Sequence, residues 1–273
     1  KYRVTTTFSA PTPIRRICQL PEATAKRYDV TSMARMVANA APWSYALKQL
    51  YLSRFPKLSL FEVYGSTELG VNTVLRPEHQ LSKPGSCGRA APGVEIRLFD
   101  ESGNTVSTPN TEGELYVKSA NMFSTYHKAH DKFMADRRDG WQTVGDIAYF
   151  DEEGFYYICD RKKDMIISGG VNIYPTEVES QLLAHPKVAD VAVFGIPHED
   201  WGEEVKAVIE PAPGVSVGPE LAEEILAWCG EHIARYKAPR SIDFVDAMPR
   251  DPNGKLYKRK LRDPYWEGVD RSI

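Results

Sequence analysis

The first 65 residues alternate between strand-like and helix-like segments, and this order restricts the fold more than any other feature of the sequence. β-branched residues at 3–10 predict a strand that runs into a helix. The apolar run at 33–40 predicts a second strand, and residues 60–65 a third. Between them, residues 44–55 carry apolar side chains at helical spacing, with Ser44 as the expected N-cap. Strand, helix and strand in this order indicate an α/β layer with a parallel sheet.

The pattern changes beyond residue 84. Short alternating segments between Gly and Pro turns predict a small antiparallel β subdomain at about 84–125. The segment "GDIAYFDEEGFYYICDR" at 145–161 predicts two further strands joined by a DEEG turn. The α/β layer is therefore expected to be followed by a separate, antiparallel part of the same domain.

The last third of the chain alternates helical and strand patterns again. Thr176 and Glu179 have the spacing of a capping box, which would begin the first helix of this part. The segment at 220–236 has the apolar stripe of an amphipathic helix. We therefore predict an α/β and α+β fold in two domains, residues 1–160 and 161–273.

Composition narrows the functional classes. The chain has 273 residues with 34 Lys and Arg against 37 Asp and Glu, a net charge of −3. It is long enough for one large domain or two smaller ones. A mildly acidic total disfavours a general nucleic-acid or membrane-surface binder. We therefore expect no nucleic-acid partner. No segment approaches the ~18 apolar residues of a membrane span, so we also expect no stable membrane insertion.

The four cysteines lie far apart in the sequence, and none forms a CxxC pair. They are expected to be reduced thiols in the cytoplasm. His127 and His130 have metal-pair spacing but lack acidic or thiol ligands in a known pattern, which favours ordinary surface residues. The first residues do not resemble a signal peptide and include no Met, which suggests a piece of a longer protein.

The segment "EVYGSTELG" follows a predicted strand directly and combines several groups that suit a nucleotide. Gly65 permits a tight turn close to a ligand. Thr67 offers a hydroxyl to a phosphate, and Glu68 offers the oxygen ligands that Mg²⁺ prefers. Tyr64 offers a flat face to a base. An ordinary loop at a strand end is the alternative.

Residues 140–175 suggest more ligand contacts. Asp146 follows a glycine in a turn, and its two oxygens could accept from both hydroxyls of a ribose. The planar guanidinium group of Arg161 could donate to phosphate or ribose oxygens, although Arg161 could equally belong to a solvated charged turn. Three small residues permit close approach of the backbone to a ligand: Ser168, Gly169 and Gly170.

The stretch "MPRDPNGKLYKRKL" near the C-terminus leaves three hypotheses open. It could be a basic tail for a polyanion, a surface loop, or the carrier of one charge that a reaction needs. Lys255 follows an Asn-Gly step that can present it at a loop tip. Four basic residues after it are expected to form a solvated face: Lys258, Arg259, Lys260 and Arg262.

These segments resemble the motifs of the adenylate-forming enzymes, which include acyl-CoA synthetases, aryl-CoA ligases, firefly luciferase and peptide-synthetase adenylation domains. "YGSTE" is similar to their YGxTE motif, and "GWQTVGD" to their [WY]xTGD motif with Val144 inserted. "DRKKDMIISGGVNIYPTEVE" resembles a long family segment almost letter for letter, and "NGK" resembles the closing motif. The resemblance spans essentially the whole chain. The family's glycine-rich phosphate loop lies upstream of these motifs, and nothing like it occurs in this sequence. The resemblance therefore implies that the chain is the C-terminal half of such an enzyme.

The resemblance implies an activity and a set of roles. A carboxylic acid would react with ATP to give acyl-AMP, and the thiol of coenzyme A would then displace AMP. Lys255 would contact the carboxylate and the phosphate, Thr67 the phosphate, and Glu68 Mg²⁺. The ribose would be bound by Asp146, with Arg161 beside it. The adenine would lie between Ala40, Ala41 and Tyr64.

The resemblance also implies a movable lid. Lys163 matches the family's hinge position, about which the C-terminal domain rotates between the two half-reactions. Rotation would withdraw Lys255 and bring Ser168, Gly169 and Gly170 to the channel for the pantetheine arm of coenzyme A.

The acid itself is less constrained. By the resemblance, Asn39 stands where many relatives have glycine and Val63 where many aryl-CoA ligases have glycine. Val71 could add apolar lining. We expect a medium- or long-chain fatty acid, with a terpenoid or steroid side-chain acid as the alternative; plain strand packing would also explain these residues. Other hypotheses are a ligase that loads a carrier protein, a luciferase-like oxygenase, and a nucleotide-binding module without turnover.

Overall fold

The computed structural model describes residues 2–39, 43–250 and 256–268. The chain forms two compact units, Lys1–Ile158 and Cys159–Ile273. The division falls two residues before the boundary predicted between residues 160 and 161.

The first unit begins with a five-stranded sheet in the order β1-β2-β3-β4-β5. Its strands are β1 (Thr6–Ser9), β2 (Arg35–Ala38), β3 (Ser59–Ser66), β4 (Gly70–Leu75) and β5 (Arg89–Ala90). Three helices connect the first strands: α1 (Pro11–Cys18), α2 (Glu22–Ala25) and α3 (Tyr45–Arg54). The first three strands pair in parallel, whereas β4 returns antiparallel to β3. The predicted parallel α/β layer is confirmed.

Local sequence signals explain why these elements form. A proline lies in the first turn of α1, where its missing N–H leaves no helical hydrogen bond unmade. The predicted cap of α3 is confirmed, because the Ser44 hydroxyl accepts a hydrogen bond from the Leu47 N–H at 3.3 Å. Helices and sheet share one apolar core, which is formed by Ile14, Cys18, Met36, Ala38, Trp43, Leu47, Tyr51 and Leu60.

The second sheet of this part of the chain has the order β10-β9-β7-β6, with β8 beside β9. Its strands are β6 (Val94–Phe99), β7 (Gly113–Ser119), β8 (Arg137–Arg138), β9 (Trp141–Phe150) and β10 (Tyr156–Arg161). A short helix, α4 (His130–Ala135), precedes β8. The strands β6 and β7 pair antiparallel, as predicted for the subdomain at about 84–125, and β9 and β8 extend the sheet antiparallel beyond it. Its buried core is formed by Leu69, Leu98, Leu115, Val117 and Ala148.

The second unit is an α+β fold around one sheet in the order β12-β11-β14-β13, with β15 beside β14. Its strands are β11 (Ile166–Ser168), β12 (Val171–Ile173), β13 (Val188–His198), β14 (Gly202–Pro211) and β15 (Ser241–Phe244). Its helices are α5 (Pro175–Leu182), α6 (Pro219–His232) and α7 (Lys258–Arg262). The predicted stripe of α6 is buried at Leu221, Ile225 and Cys229. The α+β class predicted for this part is confirmed.

The predicted capping box at the start of α5 is wrong. The helix begins at Pro175 with Tyr174 as its N-cap residue, which places Thr176 inside the first turn. The Thr176 hydroxyl donates to the Asp160 carboxylate at 2.8 Å, and the Glu179 carboxylate accepts from the Val193 N–H at 2.7 Å. Proline favours the first helical position, so it moved the helix start beyond the reach of the box.

Among the described residues, no helix is long and apolar enough to cross a membrane. The four cysteines are all free thiols: Cys18, Cys87, Cys159 and Cys229.

An ion pair between α3 and β3 lies inside the first unit. The ammonium nitrogen of Lys48 is 2.6 Å from a Glu62 carboxylate oxygen, and the two side chains are only 1% and 10% exposed. Neither atom has a well-aligned hydrogen bond within the described part of the chain, so charge attraction dominates. Burial raises the pKa of Glu62, and the charge of Lys48 opposes that rise. The helix is thus tied to the sheet by two charges that depend on each other.

We predict that Lys48→Met destabilises the protein by about 3–5 kcal/mol, because it leaves the Glu62 charge buried and unpaired. Glu62 then binds its proton more tightly in the folded than in the unfolded state. The loss should therefore be largest at neutral pH and shrink as the pH falls and Glu62 becomes neutral. Urea unfolding at several pH values measures both effects.

The exposed pair of Lys26 and Glu22 provides the control, since its side chains are 74% and 78% exposed. Lys26→Met should change the free energy of unfolding by less than about 1 kcal/mol at every pH. A Lys48→Met loss that is equally small, or that grows as the pH falls, would contradict the account.

Candidate functional site

The end of β3 turns back at once into β4, and Gly65 permits this turn. A Cβ atom at position 65 would lie 2.0 Å from the Gly70 carbonyl oxygen, a distance that no side chain can occupy. The pairing of β3 with β4 shifts register between Tyr64 and Gly65, as a bulge does. Residues 67–69 form the turn that connects the strands. The glycine predicted to allow a tight turn is therefore required by a backbone contact.

The turn is anchored on one side and open on the other. Leu69 is fully buried in the core of the second sheet, and its N–H donates to the Ser66 hydroxyl at 3.1 Å. Thr67 is exposed, and Glu68 is partly exposed. Because β1, β2 and β3 run parallel, their carboxyl ends share one edge of the sheet, and Thr67 and Glu68 follow the end of β3. Ligands of open α/β sheets bind at such an edge.

Two residues of separate predicted motifs meet in the first unit. The Tyr64 hydroxyl donates to an Asp146 carboxylate oxygen at 2.5 Å, although 82 positions separate them in the sequence. Asp146 is only 6% exposed and follows Gly145, whose φ of +78° suits glycine. Gly145 and Asp146 lie within β9 and not in the predicted turn, at a point where the pairing of β9 with β7 shifts register, and the Thr143 hydroxyl accepts from the Gly145 N–H at 2.9 Å. The structure thus brings the Tyr64 and Asp146 motifs together.

A tyrosine that the sequence analysis missed contacts Glu68. The Tyr126 hydroxyl donates to one Glu68 carboxylate oxygen at 3.1 Å, and the Phe123 N–H donates to the Glu68 carbonyl oxygen at 2.9 Å. Burial raises the pKa of Tyr126, and the Glu68 carboxylate adds to the rise. Tyr126 lies outside the motifs quoted above, and spacing gives no sign of a contact between residues 58 positions apart.

The residues predicted to contact the acid lie on neighbouring strands or, for Asn39, directly after one. Ala38 of β2 pairs with Glu62 of β3 in parallel register, so Asn39 and Val63 follow at adjacent positions. Val63 lies opposite Val74 of β4 and is partly exposed. Val71 is 48% exposed. Ala40 and Ala41 lie outside the described residues.

The second unit holds the other predicted positions. Arg161 ends β10, and Lys163 lies in the 3₁₀ turn Lys162–Asp164 that follows it. Ser168 pairs with Val171 across a two-residue turn, in which Gly169 and Gly170 have φ values of +59° and +78°.

Both glycines suit this backbone conformation, which is that of a tight hairpin turn. There is room for a Cβ atom at both positions. A Cβ at position 169 would lie 3.8 Å from the Trp201 side chain, and one at position 170 would meet nothing within 4 Å. The turn is also tied to a neighbouring loop, because the Gly169 N–H donates to the Trp201 carbonyl oxygen at 2.9 Å.

Lys255 lies outside the described residues. On either side of it, Arg250 and Leu256 form an isolated antiparallel bridge, and the Tyr257 N–H donates to the Pro249 carbonyl oxygen at 2.8 Å. The described residues before and after position 255 are thus paired with each other.

The expected solvated face of α7 is only partly correct. The Lys258 ammonium lies 2.8 Å from the Glu179 carboxylate, and its side chain is 19% exposed. Burial would lower the pKa of Lys258, but Glu179 and neighbouring carboxylates outweigh burial and raise it. Arg262 lies 3.6 Å from Asp164, whereas the side chain of Arg259 is 82% exposed. Lys258 and Arg262 are four positions apart and share one face of the helix, so both contact carboxylates of the second unit.

The donor set around the turn suits a nucleotide-bound magnesium ion. The described residues contain no cluster of three or more His, Cys, Asp or Glu side chains that could cage a metal. Mg²⁺ at nucleotides is held by one or two carboxylates, with phosphate oxygens and water completing its shell. Glu68, a single carboxylate beside the exposed Thr67, fits that requirement.

Comparisons with known proteins agree across the chain. Residues 1–127 match the family model described as AMP-binding enzyme, and residues 177–255 match that of the AMP-binding enzyme C-terminal domain. A feruloyl-CoA synthase of an Amycolatopsis species is 37% identical over 261 residues, 95% of this chain and 52% of that protein. The long-chain-fatty-acid–CoA ligase FadD13 of Mycobacterium tuberculosis is 36% identical over 94% of this chain and 49% of its own length. The chain thus spans about half the length of the curated relatives it matches.

Solved structures give the same result. The ATP-bound structure of MatB from Rhodopseudomonas palustris superposes with a TM-score of 0.85 and 32% identity, covering 96% of this chain and 51% of that one. MenE, the o-succinylbenzoate CoA synthetase of Bacillus subtilis, in complex with its acyl-adenylate intermediate, gives a TM-score of 0.81 at 32% identity with the same coverage.

We predict that Gly65→Ala destabilises the protein by about 1–3 kcal/mol, because backbone must move to admit the methyl group. The movement displaces Thr67 and Glu68, so the affinity for ATP should fall as well. Thermal unfolding and calorimetric titration measure the two effects.

Gly230 in α6 is the matched control, since a Cβ atom there would meet nothing within 4 Å. Gly230→Ala should be neutral or stabilise the protein by up to about 1 kcal/mol, with unchanged ATP affinity. A Gly65→Ala variant that behaves like Gly230→Ala would refute the role of the turn.

Proposed function

Since the chain belongs to the adenylate-forming, AMP-binding enzyme family, we propose that the whole protein is an ATP-dependent acid–thiol ligase. In the first step, a carboxylate oxygen of the acid attacks the α-phosphorus of ATP, and pyrophosphate leaves. In the second, the thiol sulfur of coenzyme A loses its proton and attacks the acyl carbon, and AMP leaves. The contact of Tyr64 with Asp146 is the observation that carries the proposal, because it joins two of the family's nucleotide motifs in one place.

The proposed roles in the first unit rest on the motif resemblance, and the contact between Tyr64 and Asp146 supports them. Asp146 accepts hydrogen bonds from the ribose hydroxyls, and Tyr64 orients it while presenting its ring to the adenine beside Ala40 and Ala41. Gly65 keeps the backbone close to the nucleotide. Thr67 donates to a phosphate oxygen. Glu68 holds Mg²⁺, which, when bound, neutralises charge on the phosphate oxygens.

The proposed roles in the second unit rest on the motif resemblance. Arg161 binds the ribose or phosphate, and Lys163 is the hinge that absorbs the change in backbone angles as the domain turns. The turn of Ser168, Gly169 and Gly170 lies along the pantetheine arm in the second step. Lys255 neutralises the charge that collects on carboxylate and phosphate oxygens in the first step.

The acid is proposed at two levels. An organic carboxylic acid is the broader proposal, and the relatives' names span feruloyl, long-chain fatty and 2-succinylbenzoate substrates. The narrower proposal, a medium- or long-chain fatty acid, rests on the resemblance, by which the side chains of Asn39 and Val63 change the width of the acyl pocket. ATP–pyrophosphate exchange with a panel of fatty and aromatic acids tests both levels. A carrier protein is the alternative acceptor, and a cytoplasmic location stays a prediction.

We predict that Lys255→Ala in the whole protein lowers the rate of adenylation by about 100-fold, the loss expected when one charge-stabilising donor is removed. The formation of acyl-CoA from supplied acyl-AMP should change far less, because that step does not need the charge. Pyrophosphate exchange and single-turnover thioester formation measure the two half-reactions separately.

Arg259→Ala removes a neighbouring charge whose side chain is 82% exposed, and it should leave adenylation within about twofold of the parent. Equal losses of both half-reactions in Lys255→Ala would remove the assignment of this lysine to the first step.

A further inference from the structure

Tyr126 contacts the Glu68 turn from a segment outside the YGSTE and GWQTVGD motifs. Its hydroxyl donates to the Glu68 carboxylate from 58 positions further along the chain, at 3.1 Å. The same segment reaches the turn a second time, since the Phe123 N–H donates to the Glu68 carbonyl oxygen at 2.9 Å. Both the side chain and the backbone of Glu68 are therefore held by residues 123–126.

Apolar packing fixes the segment against the turn. Met122 packs on the core cluster that includes Leu69, the neighbour of Glu68. The ring of Phe123 meets the buried ring of Phe133 edge to face, with centroids 5.1 Å apart and an interplanar angle of 86°. Met122 is thus held by the core that buries the turn, and Phe123 is held by the ring of Phe133.

The Tyr126 ring is held as well, so its hydroxyl has a defined direction. The ring packs edge to face on Phe123 with centroids 4.7 Å apart. The ammonium of Lys132, on α4, lies 5.1 Å from the centroid of the Tyr126 ring. A phenol has few rotatable bonds, so fixing the ring fixes the donor to within the rotation of one O–H bond.

From this geometry we propose that Tyr126 is a positioning residue, whose hydroxyl holds the Glu68 carboxylate in the orientation that takes the magnesium ion of the nucleotide. The proposal rests on the proposed function, in which Glu68 is the carboxylate that holds the ion. Carboxylates that bind metals are commonly hydrogen-bonded to an outer partner, which orients them before the metal arrives. Loss of such a partner typically lowers metal affinity by about 10–100-fold.

Tyr126→Phe tests the proposal, because it keeps the ring and its packing and removes only the hydroxyl. In the whole protein with ATP bound, titration of Mn²⁺ by electron paramagnetic resonance gives the affinity for the ion directly. The dissociation constant for Mn²⁺ should rise about 10-fold, whereas the affinity for metal-free ATP should not change. In pyrophosphate exchange, more Mg²⁺ should be needed for half-maximal rate, and saturating Mg²⁺ should restore the parent rate.

Tyr157→Phe is the matched control. The Tyr157 hydroxyl donates to an Asp151 carboxylate oxygen at 3.2 Å. The Tyr157→Phe variant therefore loses the same kind of hydrogen bond, but outside the proposed site. Its affinity for Mn²⁺ should equal that of the parent. If Tyr126→Phe leaves the Mn²⁺ affinity unchanged, or weakens metal-free ATP binding by the same factor, the hydroxyl is not a positioning group for the ion.

Glu68→Gln separates this inference from the proposal beneath it. If Glu68→Gln weakens Mn²⁺ binding and Tyr126→Phe does not, only the role of Tyr126 is overturned. If Glu68→Gln itself leaves Mn²⁺ affinity unchanged, then the assignment of Glu68 to the ion is wrong, and the inference about Tyr126 is overturned with it.

Discussion

The Gly70 carbonyl oxygen lies where a side chain at position 65 would begin, and this close approach of two backbone segments shapes the proposed nucleotide site. It lets β3 reverse direction within residues 67–69, so that Leu69 enters the core while Thr67 stays exposed. A wider turn would separate the buried leucine from the polar residues before it. The polar groups are therefore positioned by a steric condition on the backbone.

The same core that anchors the turn also joins the two nucleotide motifs. Tyr64 and Val144 both pack against the cluster that contains Leu69, and Val144 lies two positions before Asp146. Apolar packing thus brings together the two residues whose polar groups form the hydrogen bond, the Tyr64 hydroxyl and the Asp146 carboxylate. Residues 122–126 join this arrangement through Met122, which brings the Tyr126 hydroxyl to Glu68. Stability and the geometry of the site depend on one set of apolar contacts.

Features that depend on nearby residues could be predicted from the sequence. The Ser44 cap and the buried stripe of α6 follow from spacing within a few positions, and both are confirmed. The tight turn at Gly65 was also predictable, because glycine after a strand has a local steric meaning. The fold class followed from the order of such local elements.

Features that depend on distant partners could not be predicted. Spacing gave no sign that Tyr64 would donate to Asp146 or Tyr126 to Glu68, since these partners meet only through the folded core. The capping box failed for a related reason, because Asp160, 16 positions away, took the Thr176 hydroxyl. A motif thus identified the chemistry of a residue, and the folded structure identified its partner.

The central claim is that the first unit holds a nucleotide through the ribose-binding carboxylate of Asp146, beside the turn at Gly65. Calorimetric affinities for AMP and for its analogue without the two ribose hydroxyls test this directly. The protein should bind AMP at least about 10-fold more tightly, since hydrogen bonds to a charged group contribute about 1.5–3 kcal/mol. Asp146→Asn should remove most of that difference. Equal affinity of the parent protein for the two nucleotides would contradict the claim.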